Sequence, residues 1–516
     1  MGTIGYDRPQ RVHAMRELYT AAGQGHVFTF WDELSNEEQD EFLLQLESLD
    51  PATLNTIYTQ ATAASKNSSI FADLTPLGQE EVKSTLTASP EEKQDWANLG
   101  LEAIAQNKVA VVLLAGGQGT RLGSLLPKGC YRNLGLPSHK TLFQIQAERI
   151  QKLQDLARID HAKRTNQPVE SVPPVVIPWC IMTSGPTRQQ TELFLEEHNY
   201  FGLDVKNIII FEQGVIPCFD TNGKFLLNHK NQIATSPNGN GGLYWAMHSE
   251  GVLDELQKRG IQYAHCYSVD NILIRIGDPV GIGHALKSHA DVTAKVMPKT
   301  MATEPLGVIC RLGGKIKVVE YSEMDPALAA LVDPKTGEFV YRAGNICNQI
   351  CSLDFLQRIP GILQAKDQDV LIYHLASKKI PHVDLKTGQR VSPQKPNGVK
   401  LELFVFDVFP LAEKFACLEV ERSREFSPMK NASGLDSPST SRRDLERLHI
   451  RWIEEAGGHV EGKDLEHLST ANGFTEARIG FEIGPRLSYG GEGLEWVKGK
   501  TIKAGVLENL DDVQLV

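Results

Sequence analysis

The chain has 516 residues, of which 41% are hydrophobic and 23% are charged, and its formal net charge is -11. This length predicts two or three domains, and the composition is typical of a soluble globular protein. The acidic balance argues against a nucleic-acid-binding protein, which would usually present a basic face.

The N-terminus and the cysteines bear on localisation. Met1–Tyr6 contains no apolar segment typical of a signal peptide, and no apolar run approaches the ~20 residues that span a bilayer. The eight cysteines form no Cys-x-x-Cys pair, which predicts buried thiols in a reducing compartment rather than a zinc site or a disulfide framework. We therefore expect a cytoplasmic protein that binds neither membrane nor nucleic acid.

Residues 1–107 are predicted to form a helical N-terminal region. Ser35 and Glu38 match a capping box ahead of apolar residues at helical spacing. Asp50-Pro51 and Ser89-Pro90 mark the starts of two further helices, because proline is favoured in the first helical turn. No residues in this region suggest catalysis.

A glycine-rich loop follows the first strand of the next region. Val109–Leu114 is an uninterrupted apolar run, which predicts a strand buried on both faces. It leads into Gly116–Gly123, where closely spaced glycines let the backbone approach a ligand and turn its N–H groups toward an anion. Arg121 and Lys128 add fixed positive charge. We interpret the loop as a polyphosphate site, with an ordinary glycine-rich turn as the alternative.

Two common phosphate loops do not fit this stretch. A dinucleotide-binding fingerprint requires Gly-x-Gly-x-x-Gly, but Leu122 occupies the third position and the glycine comes one residue later, at Gly123. A P-loop requires Gly-Lys before Ser or Thr, whereas here Lys128 precedes Gly129. The misplaced glycine disfavours a dehydrogenase.

Predicted strands and helices alternate from residue 108 to residue 410. This alternation indicates a central α/β domain with a Rossmann-like, mixed and largely parallel sheet. Ligands of such sheets bind beyond the carboxyl ends of the strands. The predicted helices that follow the loop are 142–157, 186–197, 242–256 and 278–289. The predicted strands are 175–182, 208–211, 263–269, 292–296, 307–311, 316–321 and 403–409.

Further polar clusters fall at predicted strand ends. Glu212–Gly214 is one, and Pro237–Gly242 is a second glycine-rich loop whose free N–H groups could contact a ligand, with a flexible turn as the alternative. Asp270 directly follows strand 263–269, and a carboxylate there in a phosphate site usually serves Mg²⁺; a capping role is its alternative. Asp407 is a weaker candidate for a second metal ligand, and a satisfied core carboxylate is equally compatible.

Residues 411–516 are predicted to form a small C-terminal α+β domain. Arg422–Asn431 is basic and Ala432–Ser441 is rich in serine and proline. An amphipathic helix over 442–455 and short, glycine-punctuated strands follow.

The motifs of this chain resemble those of the eukaryotic UDP-N-acetylglucosamine pyrophosphorylases, within the wider nucleotide-sugar pyrophosphorylases. The signature is LAGGQGTRLG at 114–123, followed by PKG at 127–129. Further motifs occur in family order across most of the chain: MTSG (182–185), NGNGG (238–242), VDN (269–271), TEPLGV (303–308), VEYSE (319–323), AGNI (343–346), KPNG (395–398), FVFD (404–407) and EFSPMKN (425–431). So many motifs in order make the resemblance specific.

The resemblance implies a reaction of UTP with N-acetylglucosamine-1-phosphate that gives UDP-N-acetylglucosamine and pyrophosphate. It also implies roles for individual residues. The implied phosphate-binding and catalytic residues are Arg121, Lys128 and Lys430. The implied nucleotide-binding residues are Gly116, Gly117, Gly119, Thr120, Gln213, Gly239 and Asp270, of which Gly116, Gly117, Gln213 and Gly239 would hold the uracil. The residues implied around the sugar and its N-acetyl group are Asn240, Gly307, Glu320, Asn345, Phe404 and Phe406.

The chemistry of these side chains is compatible with the implied roles. Gln213 can match both a donor and an acceptor on the edge of uracil. Glu320 can accept hydrogen bonds from sugar hydroxyls, and the side-chain amide of Asn345 can pair with the amide of the N-acetyl group. Core packing is the alternative for Phe404 and Phe406, and an ordinary strand-end carboxylate is the alternative for Glu320.

The implied reaction brings two anions together and builds charge on a leaving group. Positioning and electrostatic stabilisation by Arg121, Lys128 and Mg²⁺ would therefore dominate, with no protein nucleophile. Two alternatives stay open: another UDP-sugar pyrophosphorylase, such as a UDP-glucose enzyme, and a non-catalytic nucleotide-sugar-binding protein. The presence of Arg121, Lys128 and Asp270 together argues against the second.

Overall fold

The computed structural model describes residues 7–66, 73–78, 80–364, 373–462 and 479–515. The N-terminal residues behind the signal-peptide prediction and residues 463–478 of the predicted C-terminal strands lie outside these ranges. Contacts between Cα atoms divide the chain into two units. The first unit comprises Met1–Ala72, Gln213–Leu243 and Ile362–Val408, and the second comprises Asp73–Glu212, Tyr244–Gly361 and Phe409–Val516. The three consecutive domains stay a prediction.

The helices of the described residues are spread along both units. They are α1 (Arg8–Ala21), α2 (Asn36–Glu47), α3 (Pro51–Lys66), α4 (Pro90–Ala105), α5 (Leu142–Thr165), α6 (Gly185–Glu197), α7 (Leu243–Ser249), α8 (Val252–Lys258), α9 (Pro279–Ser288), α10 (Pro326–Ala329), α11 (Leu353–Gln364), α12 (Arg422–Glu425) and α13 (Pro438–Glu455).

The strands range from two to ten residues in length. They are β1 (Leu74–Thr75), β2 (Val82–Ser84), β3 (Val109–Leu114), β4 (Trp179–Thr183), β5 (Ile208–Glu212), β6 (Val215–Pro217), β7 (Phe219–Asp220), β8 (Leu227–His229), β9 (Gln232–Ile233), β10 (Thr235–Pro237), β11 (Tyr263–Ser268), β12 (Val292–Pro298), β13 (Val308–Leu312), β14 (Lys315–Val319), β15 (Ala343–Ser352), β16 (His374–Lys378), β17 (His382–Val383), β18 (Arg390–Val391), β19 (Gly398–Glu402), β20 (Phe415–Glu419), β21 (His459–Val460), β22 (Phe481–Ile483), β23 (Thr501–Ile502) and β24 (Gly505–Leu507).

The second unit contains a mixed, largely parallel sheet in the order β2-β20-β12-β15-β11-β3-β4-β5. Strand β15 is antiparallel to β11 and β12, and the other neighbouring pairs along this path are parallel. Strand β13 joins beside β15 and pairs with β1 and β14. The predicted α/β class with a largely parallel sheet is therefore confirmed.

Strand β3 lies inside this sheet and is buried along its whole length. Val111 and Leu113 belong to the same core cluster as Phe143 of α5. The parallel register pairs Leu114 of β3 with Ser268 of β11, so the loops that follow these two strands begin side by side. This edge is where such sheets bind ligands.

The first unit combines helices α1 to α3 with short strands. The predicted capping box is confirmed, because Glu38 N donates to Ser35 Oγ (3.3 Å) and Ser35 N donates to Glu38 Oε2 (2.8 Å). The helices bury Tyr19 and Phe42 in one cluster with Phe219 of β7. Among the described residues of both units, no helix is long and apolar enough to cross a membrane.

The predicted strand over 403–409 is wrong. Residues 405–408 form a turn in which Phe404 N donates to Asp407 Oδ2 (2.7 Å) and Asp407 N donates to Phe404 O (3.0 Å). Val405 and Phe406 are buried within this turn. The apolar residues are therefore explained by burial and not by a strand. The side chain of Asp407 accepts the backbone hydrogen bond that a neighbouring strand would otherwise accept.

Other boundaries differ for local reasons. The predicted helix 242–256 is two helices, α7 and α8, because Gly251 between them adopts a left-handed φ of 72°. The strand predicted from residue 175 begins at Trp179, immediately after Pro178, which cannot donate to a ladder. The sequence predicted no strand at β15 or β20.

Candidate active site

The glycine loop is tethered to the neighbouring strand where it begins. Ala115 N donates to Met182 O (2.8 Å), and Ser184 Oγ, just beyond β4, donates to Gly116 O (2.7 Å). Gly117 is exposed, and a Cβ built there would meet no atom within 4 Å. The backbone at Gly116 is therefore fixed by hydrogen bonding, and the space beside Gly117 is open to a ligand. Sequence reasoning missed the role of Ser184, although its MTSG motif belongs to the resemblance.

The remainder of the loop folds back on itself. Gly119 N donates to Leu126 O (3.1 Å), and Ser124 N donates to Gly119 O (3.0 Å). Gly119 itself is buried, whereas Thr120 and Arg121 are exposed. The backbone of Gly119 thus holds the turn of the loop together through both its N–H and its C=O. The two residues after it are accessible to a solute.

Lys128 and Asp270 form an ion pair at the carboxyl edge of the sheet. Lys128 Nζ lies 3.2 Å from Asp270 Oδ2, and the two side chains are 19% and 17% exposed. Lys128 Nζ also lies 3.4 Å from Met429 O, and Lys128 N donates to Gly117 O (3.3 Å). The structure therefore brings the predicted phosphate lysine, the predicted metal carboxylate and the glycine loop together.

Lys430 reaches the same place from a distant part of the sequence. Its neighbour Met429 donates its N–H to Asp270 O (3.0 Å). Lys430 N donates to Asp436 O (2.7 Å), and Lys430 Nζ lies 4.0 Å from Asp436 Oδ2, with both side chains partly exposed. The segment that carries Lys430 thus lies against the residue that follows β11.

Three predicted sugar-binding residues of the second unit are neighbours. Asn345, on β15, donates its N–H to Gly307 O (2.8 Å). A Cβ on Gly307 would lie 2.8 Å from Glu320 Oε1, so the carboxylate occupies the space that the glycine leaves. Asn345 Oδ1 accepts from Cys347 N (3.1 Å), which fixes the orientation of the amide.

Cys347 was not singled out by sequence reasoning, and it lies among these groups. It adopts a left-handed φ of 52° beside an irregularity in the β12–β15 register. The pKa of its thiol is raised to about 12, mainly by burial and with a contribution from the charges of Glu320 and Asp270, while the charge of Lys430 acts in the opposite direction. The thiol is therefore protonated and within electrostatic reach of Glu320, which is predicted to bind sugar, and of Asp270 and Lys430, which are predicted to bind phosphate.

In the first unit, Gln213 and Asn238 present buried carbonyl oxygens. Gln213 is 6% exposed, and neither Gln213 Oε1 nor Asn238 Oδ1 has a hydrogen-bond donor among the residues that the structure describes. Leaving such an acceptor unsatisfied costs ~1–3 kcal/mol, which a ligand N–H or O–H would relieve. Gly239 beside them has a φ of 87°, and a Cβ there would lie 2.2 Å from Leu403 O.

The second glycine loop packs on the turn at 405–408, within the same unit. Asn240 Oδ1 accepts from Val405 N (2.9 Å), which leaves its Nδ2 as a donor. The rings of Phe404 and Phe406 lie 5.2 Å apart. Phe404 is half-buried and can present a face to a ligand, whereas Phe406 is 4% exposed, as in the core-packing alternative.

The carboxylate of Asp407 is engaged by protein groups. It accepts from Phe404 N and lies 3.1 Å from His374 Nε2. This is the arrangement of a satisfied core carboxylate. Across the described ranges of the chain, no cluster of three or more His, Cys, Asp or Glu side chains could hold a metal ion. Asp270 would thus hold Mg²⁺ together with oxygens from outside the protein, such as those of water or substrate phosphates, as is common for Mg²⁺ in phosphate sites.

Comparisons with known proteins agree on one family. The family model described as UTP–glucose-1-phosphate uridylyltransferase matches residues 53–444. The UDP-N-acetylhexosamine pyrophosphorylase-like protein 1 of Xenopus tropicalis is 43% identical and covers 97% of this chain and 98% of its own. The UDP-N-acetylglucosamine pyrophosphorylase of Saccharomyces cerevisiae is 42% identical, covering 95% and 98%. The crystal structure of uridine diphosphate N-acetylglucosamine pyrophosphorylase from Trypanosoma brucei, with an inhibitor, has a TM-score of 0.78 and 29% identity, covering 96% and 95%.

Proposed function

Since this chain belongs to the UTP–glucose-1-phosphate uridylyltransferase family, we propose that it transfers the uridylyl group of UTP to N-acetylglucosamine-1-phosphate. The products are UDP-N-acetylglucosamine and pyrophosphate. The observation that carries the proposal is the 42% identity, over nearly the whole chain, to the S. cerevisiae protein of that name. The grouping of Lys128, Asp270 and Lys430 supports it, because a reaction between two anions needs fixed charge at one point.

In the proposed reaction, a phosphate oxygen of the sugar phosphate attacks the α-phosphorus of UTP. The bond from the α-phosphorus to the oxygen that bridges to the β-phosphorus breaks, and pyrophosphate leaves. Lys128, Arg121 and Lys430 bind phosphate oxygens and stabilise the charge that accumulates on the leaving group. The nucleophile belongs to the substrate, so the protein contributes positioning and charge.

We assign recognition of the base to Gln213 with the backbones of Gly116, Gly117 and Gly239. The buried, unpartnered Oε1 of Gln213 supports this assignment, because the N3–H of uracil is a donor that would satisfy it. Cytosine has an acceptor at the same position, so the same oxygen would disfavour CTP.

We assign recognition of the sugar to Asn240, Gly307, Glu320, Asn345 and Phe404. Asn240 is held through its Oδ1, and Asn345 Nδ2 donates one of its two hydrogens to Cys347 Sγ (3.9 Å), so both amides keep an N–H for the sugar. Glu320 supplies an acceptor for hydroxyls. Phe406 supports the ring of Phe404 from the core side.

We propose Mg²⁺ as the cofactor, held by Asp270 together with phosphate oxygens of the substrates. A hard cation that prefers oxygen ligands neutralises phosphate charge when it is bound there. The residues present fit this assignment, because Asp270 offers a carboxylate oxygen where the glycine loop and Lys128 meet, and its partner in the free protein is the Lys128 ammonium. Lys128 would then turn from the carboxylate to phosphate.

We also propose that the protein acts in the cytoplasm. Its eight cysteines are free thiols, and seven of them are buried, which suits a reducing compartment. Localisation of the tagged chain by fluorescence microscopy and cell fractionation tests this assignment, and a secretory or organellar pattern would contradict it.

The enzymatic proposal is tested by measuring pyrophosphate release from UTP with a panel of sugar 1-phosphates. The panel contains N-acetylglucosamine-1-phosphate, N-acetylgalactosamine-1-phosphate and glucose-1-phosphate. We expect the highest kcat/KM with N-acetylglucosamine-1-phosphate and a large loss for glucose-1-phosphate, which lacks the N-acetyl group. Preference for glucose-1-phosphate would favour the UDP-glucose alternative, and no turnover with any sugar would favour a binding protein.

A further inference from the structure

We propose that Asn271 is a positioning residue that aligns Glu425–Lys430 with the phosphate site and thereby sets the place of Lys430. The inference rests on the proposed function, since it assigns Lys430 to substrate phosphate. Asn271 directly follows Asp270 beyond β11, and its side chain is 3% exposed. It is therefore out of reach of substrate and can act only through other residues.

The carboxamide of Asn271 bridges two backbone groups of the segment. Asn271 Nδ2 donates to Glu425 O (2.7 Å), and Ser427 N donates to Asn271 Oδ1 (2.9 Å). A third backbone group, Leu273 N, donates to the same Oδ1 (3.2 Å). Because each end of the amide has a partner of the opposite kind, its orientation is fixed and so is the spacing between residues 425 and 427.

The backbone continues this alignment up to Lys430. Ile272 N donates to Ser427 O (3.2 Å), and Met429 N donates to Asp270 O (3.0 Å). Asn271 and Pro428 form an antiparallel bridge between these two bonds. Residues 427–429 thus run antiparallel to residues 270–272 through this single bridge, and Lys430 is the next residue.

A separate anchor holds the beginning of the segment. The carboxylate of Glu425 pairs with Lys295, and Lys295 Nζ also lies 2.7 Å from Asp278 Oδ2, with all three side chains buried. This ion cluster keeps Glu425 in place whether or not Asn271 is present. Loss of Asn271 should therefore displace residues 427–430 relative to Asp270, while Glu425 stays anchored by the ion cluster. A displacement of ~1 Å in a catalytic group can cost ~10²-fold in rate.

Asn397 provides a matched control within the same chain. Its carboxamide also bonds to the backbone at both ends, since Ile380 N donates to Asn397 Oδ1 (2.7 Å) and Asn397 Nδ2 donates to Ile380 O (3.0 Å). It has no role in the proposed chemistry. Asn397→Ala therefore removes a comparable pair of side-chain-to-backbone bonds, so a loss of activity specific to Asn271→Ala is not a general effect of losing such a pair. The Lys430→Ala background then shows whether that loss acts through Lys430.

The experiment uses the full chain with UTP and N-acetylglucosamine-1-phosphate. The variants are Asn271→Ala, Asn271→Ser, Lys430→Ala, the double variant Asn271→Ala/Lys430→Ala, and Asn397→Ala. Asn271→Ser keeps a polar group in the pocket in case the alanine variant fails to fold. For each variant we measure kcat, both KM values, the thermal midpoint, and amide hydrogen exchange of Ser427 and Met429.

We expect Asn271→Ala to lower kcat by about 10- to 100-fold, with faster exchange at Ser427, while Asn397→Ala keeps the wild-type kcat. In the Lys430→Ala background, Asn271→Ala should change kcat by less than about threefold, because the two residues act through one group. Additive losses, a wild-type kcat in folded Asn271→Ala or Asn271→Ser, or a wild-type kcat in Lys430→Ala would each overturn the proposal.

A failure of the proposed function gives a different result. If the wild-type protein turns over no sugar phosphate, the enzymatic proposal fails. The exchange rates then still decide whether Asn271 holds the segment, and unchanged exchange at Ser427 in Asn271→Ala would overturn that claim as well.

Discussion

Replacement of Lys128 by alanine separates catalysis from stability. In the free protein, Lys128 contributes one ion pair, at 3.2 Å to Asp270, between side chains that are 19% and 17% exposed. Partly hydrated pairs of this kind contribute about 1 kcal/mol or less. A donor that stabilises charge developing in the transition state is worth ~10²–10³ in rate, or ~2.7–4 kcal/mol. Lys128→Ala should therefore lower kcat far more than it lowers stability.

The assay is steady-state pyrophosphate release, paired with thermal unfolding of the same preparations. We expect kcat to fall by ~10²–10³, while the thermal midpoint shifts by less than about 4 °C. Lys287→Ala is the control, because Lys287 also pairs with one carboxylate, that of Asp95 at 3.6 Å, and has no role in the proposed chemistry. A folded Lys128→Ala protein with near-wild-type kcat would refute the assignment, and equal losses in the control would show that the effect is not local.

Three further substitutions test separate parts of the site. Gln213→Ala should raise the KM for UTP and reduce discrimination against CTP, because the buried Oε1 is lost; unchanged kinetics with both nucleotides would exclude Gln213 from the base site. Asp270→Asn should raise the Mg²⁺ concentration required for half-maximal activity, because a neutral amide binds a hard cation less well; an unaltered Mg²⁺ titration would return Asp270 to a structural role. Lys430→Ala should sharply lower kcat/KM with little change in the thermal midpoint, since the side chain is 41% exposed; normal turnover would remove the C-terminal segment from the phosphate site.

The grouping of the glycine loop, Lys128 and Asp270 on the proposed phosphate side could be predicted from the sequence because its signals are local. The apolar run of β3 marks a buried strand, and the glycines that follow mark a loop with unusual backbone freedom. The rule that parallel sheets bind ligands beyond their carboxyl ends then groups this loop with Asp270. The observed pairing of Leu114 with Ser268 and the contact of Lys128 with Asp270 agree with that reasoning.

The remainder of the site depends on contacts that local signals do not encode. The long strand β15 carries Asn345, yet its mixed polar and apolar residues gave no strand pattern. The apolar residues at 403–409 favoured a strand, whereas the hydrogen bond from Phe404 N to the Asp407 side chain makes a turn. Nothing near Lys430 indicates that Met429 bonds to Asp270. The assignment of Lys430 to the phosphates rests on the resemblance and on the shortage of positive charge in an acidic chain, because propensity and periodicity carry no information on long-range pairing.

The charges of the site explain how an acidic protein can favour a reaction between two anions. The chain has a net charge of -11, and two of its proposed phosphate-binding lysines lie beside carboxylates, Lys128 with Asp270 and Lys430 with Asp436. If these lysines bind substrate phosphates as proposed, each phosphate replaces a carboxylate, which limits the free energy gained by binding the substrates in their ground state. The lysines gain more interaction free energy in the transition state, where negative charge accumulates on the leaving pyrophosphate. The charge of the competing carboxylates stays the same in both states. If phosphate replaces the Asp270 carboxylate beside Lys128, that carboxylate becomes available as an oxygen ligand for the Mg²⁺ that we propose as cofactor.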